Sequence, residues 1–152
     1  MEPQKIASFT INHNTLCEGI YVSRIDGDIT TYDLRTRKPN MGDYMDNVTM
    51  HSLEHMIATY IRSSLIGPDI IYFGPMGCQT GFYLLVRNAD NDVVLTVLKD
   101  VLLKVEEHQG EVFGASAIEC GNYKNLDIDA AKKEARRYLD ILESYTPDFE
   151  YK

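Results

Sequence analysis

The chain contains 152 residues, of which 44% are hydrophobic, 10% aromatic and 25% charged. This length and composition are typical of one soluble globular domain, so we expect residues 1–152 to form a single domain. The net charge of −8 excludes the basic surface that nucleic-acid binding requires. No apolar run is long enough to cross a bilayer or to act as a secretion signal, so we expect a cytoplasmic protein with no nucleic-acid or membrane partner.

Four short segments that are rich in β-branched and aromatic residues are predicted to be strands. They are residues 20–25, 28–34, 69–74 and 80–87. The first two flank Asp26-Gly27, a dipeptide suited to the positive φ angles of a tight hairpin, so we expect them to pair antiparallel. A turn from Pro75 to Gln79 separates the other two strands and carries Cys78.

Three further segments have the apolar periodicity of helices. They are predicted to run from Asn47 or Thr49 to near Gly67-Pro68, over residues 90–108, and from Asp127 to Thr146-Pro147. Helices interspersed with strands and one hairpin predict an α+β fold. We expect a two-layer sandwich in which an antiparallel or mixed sheet packs against helices.

The strongest chemical signal is the sequence His51-Ser-Leu-Glu54-His55 in the first helix. Two histidines four residues apart project from adjacent turns, so both imidazoles can reach one cation, and Glu54 beside them can move a proton without being a ligand. This H-x-x-E-H pattern is typical of inverted zincins. It predicts a metal site rather than a merely solvated polar face, but it does not name the reaction.

A catalytic metal site usually has a third protein ligand and one open position. Cys120, in the polar loop I-E-C-G-N-Y-K, is either this ligand or a partly buried core cysteine. Cys78 is either an acid/base thiol next to a cation or a small buried filler between strands. Arg35 is either a solvated charge or a clamp for a carboxylate or sugar hydroxyls. Cys17 is assigned a structural role.

Five motifs together resemble the S-ribosylhomocysteine lyase (LuxS) family in order and approximate spacing. They are S-F-x-x-x-H at Ser8 to His13, Y-D-L-R at 32–35, H-S-L-E-H-M at 51–56, G-P-M-G-C-Q-T-G-F-Y-L at 74–84 and E-C-G at 119–121. The H-x-x-E-H pattern occurs in other metalloenzymes, but its combination with P-M-G-C-Q-T-G is far more specific.

The resemblance implies cleavage of S-ribosylhomocysteine to homocysteine and 4,5-dihydroxy-2,3-pentanedione, the precursor of the quorum-sensing signal autoinducer-2. The carbonyl would move along the ribose through enediolates before β-elimination of the thiolate. The resemblance also implies a homodimer with shared active sites, and one divalent metal per subunit, Fe²⁺ in the cell and Zn²⁺ or Co²⁺ in isolated protein. Position by position, the family's metal ligands match His51, His55 and Cys120, its acid/base groups match Glu54 and Cys78, and its substrate contacts match Ser8, His13 and Arg35.

The sequence departs from the family pattern at Tyr72, where relatives usually carry an acidic residue, so one polar contact to the amino-acid end of the substrate is in question. Two other functions are compatible with the motifs. An inverted-zincin peptidase would recruit a downstream glutamate as third ligand, for which Glu134 is the candidate. A metal-binding dimer without catalysis is the other alternative.

Overall fold

The computed structural model describes residues 2–152, in which a four-stranded antiparallel sheet packs against three helices. The strands are β1 (Gly19–Asp26), β2 (Ile29–Arg35), β3 (Ile70–Pro75) and β4 (Gly81–Arg87), in the order β1-β2-β4-β3. The helices are α1 (Asn47–Arg62), α2 (Asn91–Glu107) and α3 (Ile128–Glu143), and short 3₁₀ helices cover Ala7–Phe9, Gly67–Asp69 and Tyr123–Asn125. The predicted α+β sandwich is confirmed, and every strand pairing is antiparallel.

One continuous hydrophobic core lies between the sheet and the helices. Alternate residues of the strands point into it, as the two-residue period of a strand requires. On the three longer strands these residues are Ile20, Tyr32, Leu34, Phe82, Leu84 and Val86. Helix α1 contributes Leu53, Met56, Ile57 and Ile61, so its opposite side, with His51 and His55, faces away from the sheet.

The structure differs from the sequence prediction in the position of the hairpin loop and in the surroundings of Cys17. The hairpin loop is Gly27-Asp28 rather than Asp26-Gly27, because Asp26 already pairs with Ile29 across the strands. Gly27 is the first residue of this two-residue loop and has a φ of 61°. Hairpin turns with glycine at the first position require a positive φ there. Cys17, which was assigned a structural role, is exposed and is not part of the core.

Helix α1 is shorter than predicted, and its N-cap is a different residue. Asp46 accepts a hydrogen bond from the backbone N–H of Thr49, so it is the N-cap in place of Asn47 or Thr49. The helix ends at Arg62 rather than near Gly67-Pro68, and the hydroxyls of Ser63 and Ser64 donate to carbonyls of its last turn. Within residues 2–152 no helix is long and apolar enough to cross a membrane.

The reassigned cap can be tested by stability measurements. Asp46→Ala removes the acceptor for the N–H of Thr49 and is expected to lower the free energy of unfolding by about 1 kcal/mol. Asn47→Ala, at a neighbouring position that makes no such bond, is the matched control and should change it little. The hydrogen bond from Thr49 lowers the pKa of Asp46 below its ordinary value of 3.8, so the contribution is present at neutral pH and is lost as the pH falls through that lowered pKa. Urea titrations give the free energies of unfolding. An equal decrease in both variants would contradict the assignment of Asp46 as the N-cap.

Candidate active site

His51 and His55 lie on one side of α1, beneath the loop of residues 108–127 that joins α2 to α3. Their rings are perpendicular, with centroids 4.7 Å apart. The Nδ1 atom of His51 lies 2.9 Å from Oδ1 of Asn125, and that of His55 lies 2.7 Å from the carbonyl oxygen of Phe113. Because both oxygens accept hydrogen bonds, each Nδ1 carries the proton and each Nε2 keeps a free lone pair.

Cys120 completes a group of three ligand atoms that all lie within 4.8 Å of one another. Its Sγ is 3.4 Å from Nε2 of His51, and ligands that bind one tetrahedral cation at about 2.0–2.3 Å are separated by about 3.3–3.8 Å. The backbone N–H of Asn122 donates to the same sulfur from 3.4 Å, a contact that suits a thiolate. All three side chains are half-buried, which leaves one side of the group accessible. The residues therefore fit one divalent metal with an open position.

Gly114 lets the loop approach His55 closely. Its φ of 72° is in the left-handed region, and a Cβ at this position would lie 3.1 Å from Nδ1 of His55. Both the backbone conformation and the short distance favour glycine. The loop therefore brings the carbonyl of the preceding residue, Phe113, against the imidazole ring.

Glu54 and His55 line a groove of about 460 Å³ together with Thr59, Gly114 and Glu119. Glu54 is half-buried and precedes the ligand histidine His55 on the same helix. A molecule bound in this groove would therefore contact both Glu54 and the ligand histidine His55, which suits general acid/base chemistry beside a metal.

Cys78 lies on the turn between β3 and β4, and its side chain is exposed. The filler alternative is therefore wrong for this cysteine. Gln79 holds the turn with a φ of 64°, and its carbonyl and side-chain amide both bond to the backbone of Met45. The Sγ atom of Cys78 lies 2.9 Å from Oγ1 of Thr80.

Arg35 is almost fully buried on the sheet face opposite the helices, so it is not the solvated charge that one alternative predicted. Its Nε and Nη2 atoms donate to the two oxygens of Asp33 at 3.1 and 2.6 Å, and its Nη1 donates to Thr80 at 2.9 Å. Nη1 also lies 4.0 Å from Sγ of Cys78. Burial opposes the charge of Arg35, but the hydrogen bonds and charge of Asp33 outweigh it and raise the pKa of the guanidinium.

A cavity of about 340 Å³ brings Ser8, His13 and Arg35 together with Cys78. Ser8 comes from the 3₁₀ helix Ala7–Phe9, and Nδ1 of His13 is 2.9 Å from the carbonyl oxygen of Ile11. A second cavity of about 140 Å³ shares His13 and Cys78 with the first. The predicted site residues therefore form two groups, because neither cavity is lined by Glu54 or by a residue of the metal group.

Two residues singled out by the sequence lie outside both groups. Glu134 is buried and makes a bidentate ion pair with Arg37, with distances of 2.6 and 3.0 Å, so it is not the third metal ligand that a peptidase would need. Tyr72 is half-exposed and its hydroxyl lies over Gly74, 2.0 Å from where a Cβ would be. Its hydroxyl thus occupies space that any larger residue at 74 would need.

Sequence reasoning missed the residues that orient the two histidines, namely Phe113, Gly114 and Asn125. Phe113 acts through its backbone carbonyl, which no side-chain motif reveals. Gly114 and Asn125 carry a weak signal only, since a glycine and an asparagine in a loop are ordinary turn residues.

The fold and the site together define a small α+β metalloprotein whose metal group combines an H-x-x-E-H helix with a loop cysteine. The sequence profile of the S-ribosylhomocysteinase (LuxS) family matches residues 6–147, and the chain belongs to that family.

Individual relatives agree with this assignment. The S-ribosylhomocysteine lyase of Finegoldia magna is 42% identical over 143 residues, which cover 91% of each chain. The lyase of Clostridium beijerinckii is 44% identical over 151 residues, 94% of each chain, and that of Desulfotalea psychrophila is 44% identical over 149 residues, 93% of each chain. The similarity therefore extends over nearly the whole chain and includes both groups of site residues.

The hydrogen bond between Asn125 and His51 should be measurable as metal affinity. Asn125→Ala removes the acceptor that fixes the tautomer of His51, so the affinity for Zn²⁺ should fall by about 10-fold or more. Asn125→Asp restores an acceptor and should bind at least as tightly as the wild type. The matched control is Asn122→Ala, because Asn122 contacts Cys120 through its backbone only. Titration against a competing chelator gives the affinities, and unchanged binding in Asn125→Ala would contradict this role.

Proposed function

We propose that the protein is a metal-dependent lyase that cleaves S-ribosylhomocysteine to homocysteine and 4,5-dihydroxy-2,3-pentanedione, the precursor of autoinducer-2. The proposal rests on one observation: in a chain of the S-ribosylhomocysteinase family, His51, His55 and Cys120 are placed so that they could bind one metal ion. The relatives named above are S-ribosylhomocysteine lyases, and this chain matches each of them over nearly its full length. We place the reaction in the cytoplasm, where the free thiols that it needs are kept reduced.

Each proposed catalytic group has a task that its surroundings suit. A divalent cation held by the three ligands would supply Lewis-acid stabilisation of negative charge on the sugar oxygens. Cys78, with Arg35 and Thr80 beside its sulfur, would move protons between neighbouring carbons of the sugar. Glu54 would transfer protons to and from oxygen and assist the final elimination of the thiolate. Ser8, His13 and Arg35 would contact the substrate in the cavity that they share with Cys78.

The separation of the two groups supports a homodimer with shared active sites. A proton-transferring group must come within hydrogen-bond reach of the substrate that the metal holds, yet the cavity of Cys78 contains none of the metal group. We infer that Cys78 of one subunit completes the metal site of the other. Apolar side chains at the cavities support an interface there, since Phe9 is 68% exposed and Tyr44 is 43% exposed.

We propose Fe²⁺ as the metal in the cell and expect isolated protein to carry Zn²⁺ or Co²⁺ when iron is lost. Two imidazoles and one thiolate suit all three ions, and the order of affinities gives ferrous iron no advantage over zinc. A thiolate site with an open position also leaves a bound ferrous ion accessible to oxygen. Occupancy in a purified sample would therefore be a poor guide to the active metal.

The division of roles between ligands and acid/base groups predicts the behaviour of two variants. Cys78→Ala and Glu54→Gln should each abolish homocysteine release while the metal stays bound at one equivalent per subunit, because neither side chain is a ligand. Thiol release and metal content are measured on the same preparation. Cys120→Ala is the contrasting variant and should lose the metal. Loss of stoichiometric metal from Cys78→Ala or Glu54→Gln would contradict the assignment.

Shared sites predict complementation between two inactive variants. Arg35→Ala and Glu54→Gln should each be inactive as pure dimers, because one alters the Cys78 cavity and the other alters the metal groove. After subunit exchange, mixed dimers contain one intact composite site, so part of the activity should return. A mixture of Cys78→Ala with Arg35→Ala, which alter the same group, is the control and should stay inactive. An active monomer in light scattering would contradict the shared site.

Cobalt substitution should identify the ligand cysteine directly. The Co²⁺ protein should show a thiolate-to-metal charge-transfer band in the near ultraviolet that persists in Cys78→Ala and vanishes in Cys120→Ala. The band reports the metal–sulfur bond and does not depend on catalysis. The reverse pattern would show that the ligand cysteine and the catalytic cysteine have been exchanged.

A further inference from the structure

The C-terminal residues of the chain are fixed against the edge of the sheet at β1. The backbone N–H of Val22 donates to the carbonyl of Phe149 at 2.8 Å. Phe149 is buried against Tyr32 on the helix-facing side, and its φ of 63° redirects the chain. Tyr151 then lies on the opposite face of the sheet, where its ring stacks on Tyr21 with centroids 5.1 Å apart. The tail thus reaches the face that buries Arg35.

Tyr151 contacts the buried ion pair of that face directly. Its hydroxyl donates to Oδ2 of Asp33 at 2.7 Å, the same oxygen that accepts from Nη2 of Arg35. The side chains of Arg35 and Asp33 are only 2% and 0% exposed, so this hydrogen bond is made away from water. Burial, then the charge of Asp33 and the hydrogen bond to it, raise the pKa of Tyr151, which keeps the hydroxyl protonated as a donor.

A continuous series of contacts leads from this hydroxyl to the sulfur of Cys78. Tyr151 binds Asp33, Asp33 binds two nitrogens of Arg35, and the remaining Nη1 faces Thr80 at 2.9 Å and Sγ of Cys78 at 4.0 Å. The orientation of Nη1 is therefore set by how Asp33 holds the other side of the guanidinium. Anything that turns or neutralises the Asp33 carboxylate changes the positive charge that Cys78 experiences.

The hydroxyl of Tyr151 acts on this charge in two ways. By donating to Asp33 it withdraws negative charge from the carboxylate, so Asp33 neutralises Arg35 less completely and more of the guanidinium charge remains for the sulfur. By covering the pair it excludes water, which would otherwise screen the interaction. Both effects strengthen the positive potential at the sulfur of Cys78, and a cation beside a cysteine sulfur makes it more reactive.

We propose that Tyr151 is a positioning residue that keeps Cys78 reactive through Asp33 and Arg35. The inference rests on the catalytic role proposed for Cys78. The family match ends at residue 147, so Tyr151 lies outside the matched residues.

The test measures the reactivity of Cys78 without substrate. Zinc-loaded wild-type protein and Tyr151→Phe are treated with iodoacetamide at neutral pH, and the alkylation rate of the peptide containing Cys78 is followed by mass spectrometry. Tyr151→Phe keeps the ring that stacks on Tyr21 and loses only the hydroxyl, and we expect the rate to fall by a factor of roughly 3 to 10. Truncation after Glu150 removes the ring as well and should slow alkylation at least as much.

Tyr145→Phe is the matched control. Tyr145 also lies in the C-terminal segment and its hydroxyl accepts from the N–H of Ile20, but it does not contact Asp33. In this variant iodoacetamide should alkylate Cys78 at the wild-type rate. The inference would be overturned if Cys78 of Tyr151→Phe were alkylated at the wild-type rate, or if Tyr145→Phe slowed the alkylation equally.

Kinetics of homocysteine release provide a separate readout. If the inference holds, kcat of Tyr151→Phe falls while KM changes little, because the hydroxyl acts on the sulfur rather than on the substrate. If the wild type releases no homocysteine but Tyr151→Phe still slows alkylation, the proposed function fails and the contact between Tyr151 and the Cys78 environment stands. The two failures are therefore distinguishable.

Discussion

Two hydrogen bonds from α1 to the loop of residues 108–127 determine the geometry of the metal group. Without the acceptors Asn125 and Phe113, the imidazoles of His51 and His55 could rotate and could present either nitrogen. With both Nδ1 atoms occupied, both Nε2 atoms are left for a cation that Cys120 also reaches. The close approach at Gly114 and the bond from the N–H of Asp127 to the buried Ser52 hold the same loop against the helix. The metal group is therefore a property of the helix and the loop together.

The other half of the proposed site depends on charge buried in the sheet. Asp33 and Arg35 are two residues apart on β2 and so share one face, which is covered rather than exposed to solvent. A buried ion pair contributes little net stability, because desolvation offsets the attraction, but it fixes a guanidinium at a defined place. That place is beside Cys78. The buried ion pair thus positions a cation beside the sulfur of Cys78, while the loop of residues 108–127 positions the metal group.

Local patterns predicted what local geometry controls. The four-residue spacing of His51 and His55 requires only a helix to place both rings on one side. Richness in β-branched and aromatic residues was enough to locate all four strands. The errors arose where several residues compete for one role. Asp46, Asn47 and Thr49 can all cap a helix, and only the backbone conformation selects Asp46.

Long-range contacts were beyond sequence reasoning. The acceptor for His51 lies 74 residues away and the acceptor for His55 lies 58 residues away. The contact between Tyr151 and Asp33 spans 118 residues. In each case the partner is a common residue type or a backbone atom, so no pattern marks it, and the fold alone brings it into place.

Release of free thiol from S-ribosylhomocysteine by the metal-loaded protein tests the proposed lyase activity directly. The reaction is followed with a fluorogenic thiol reagent, before and after removal of the metal by a chelator and after its restoration under anaerobic conditions. We expect one homocysteine per substrate molecule, loss of release on chelation and recovery when Fe²⁺ or Co²⁺ is returned. Absence of thiol release from protein that carries one metal per subunit and remains folded would contradict the proposed lyase activity.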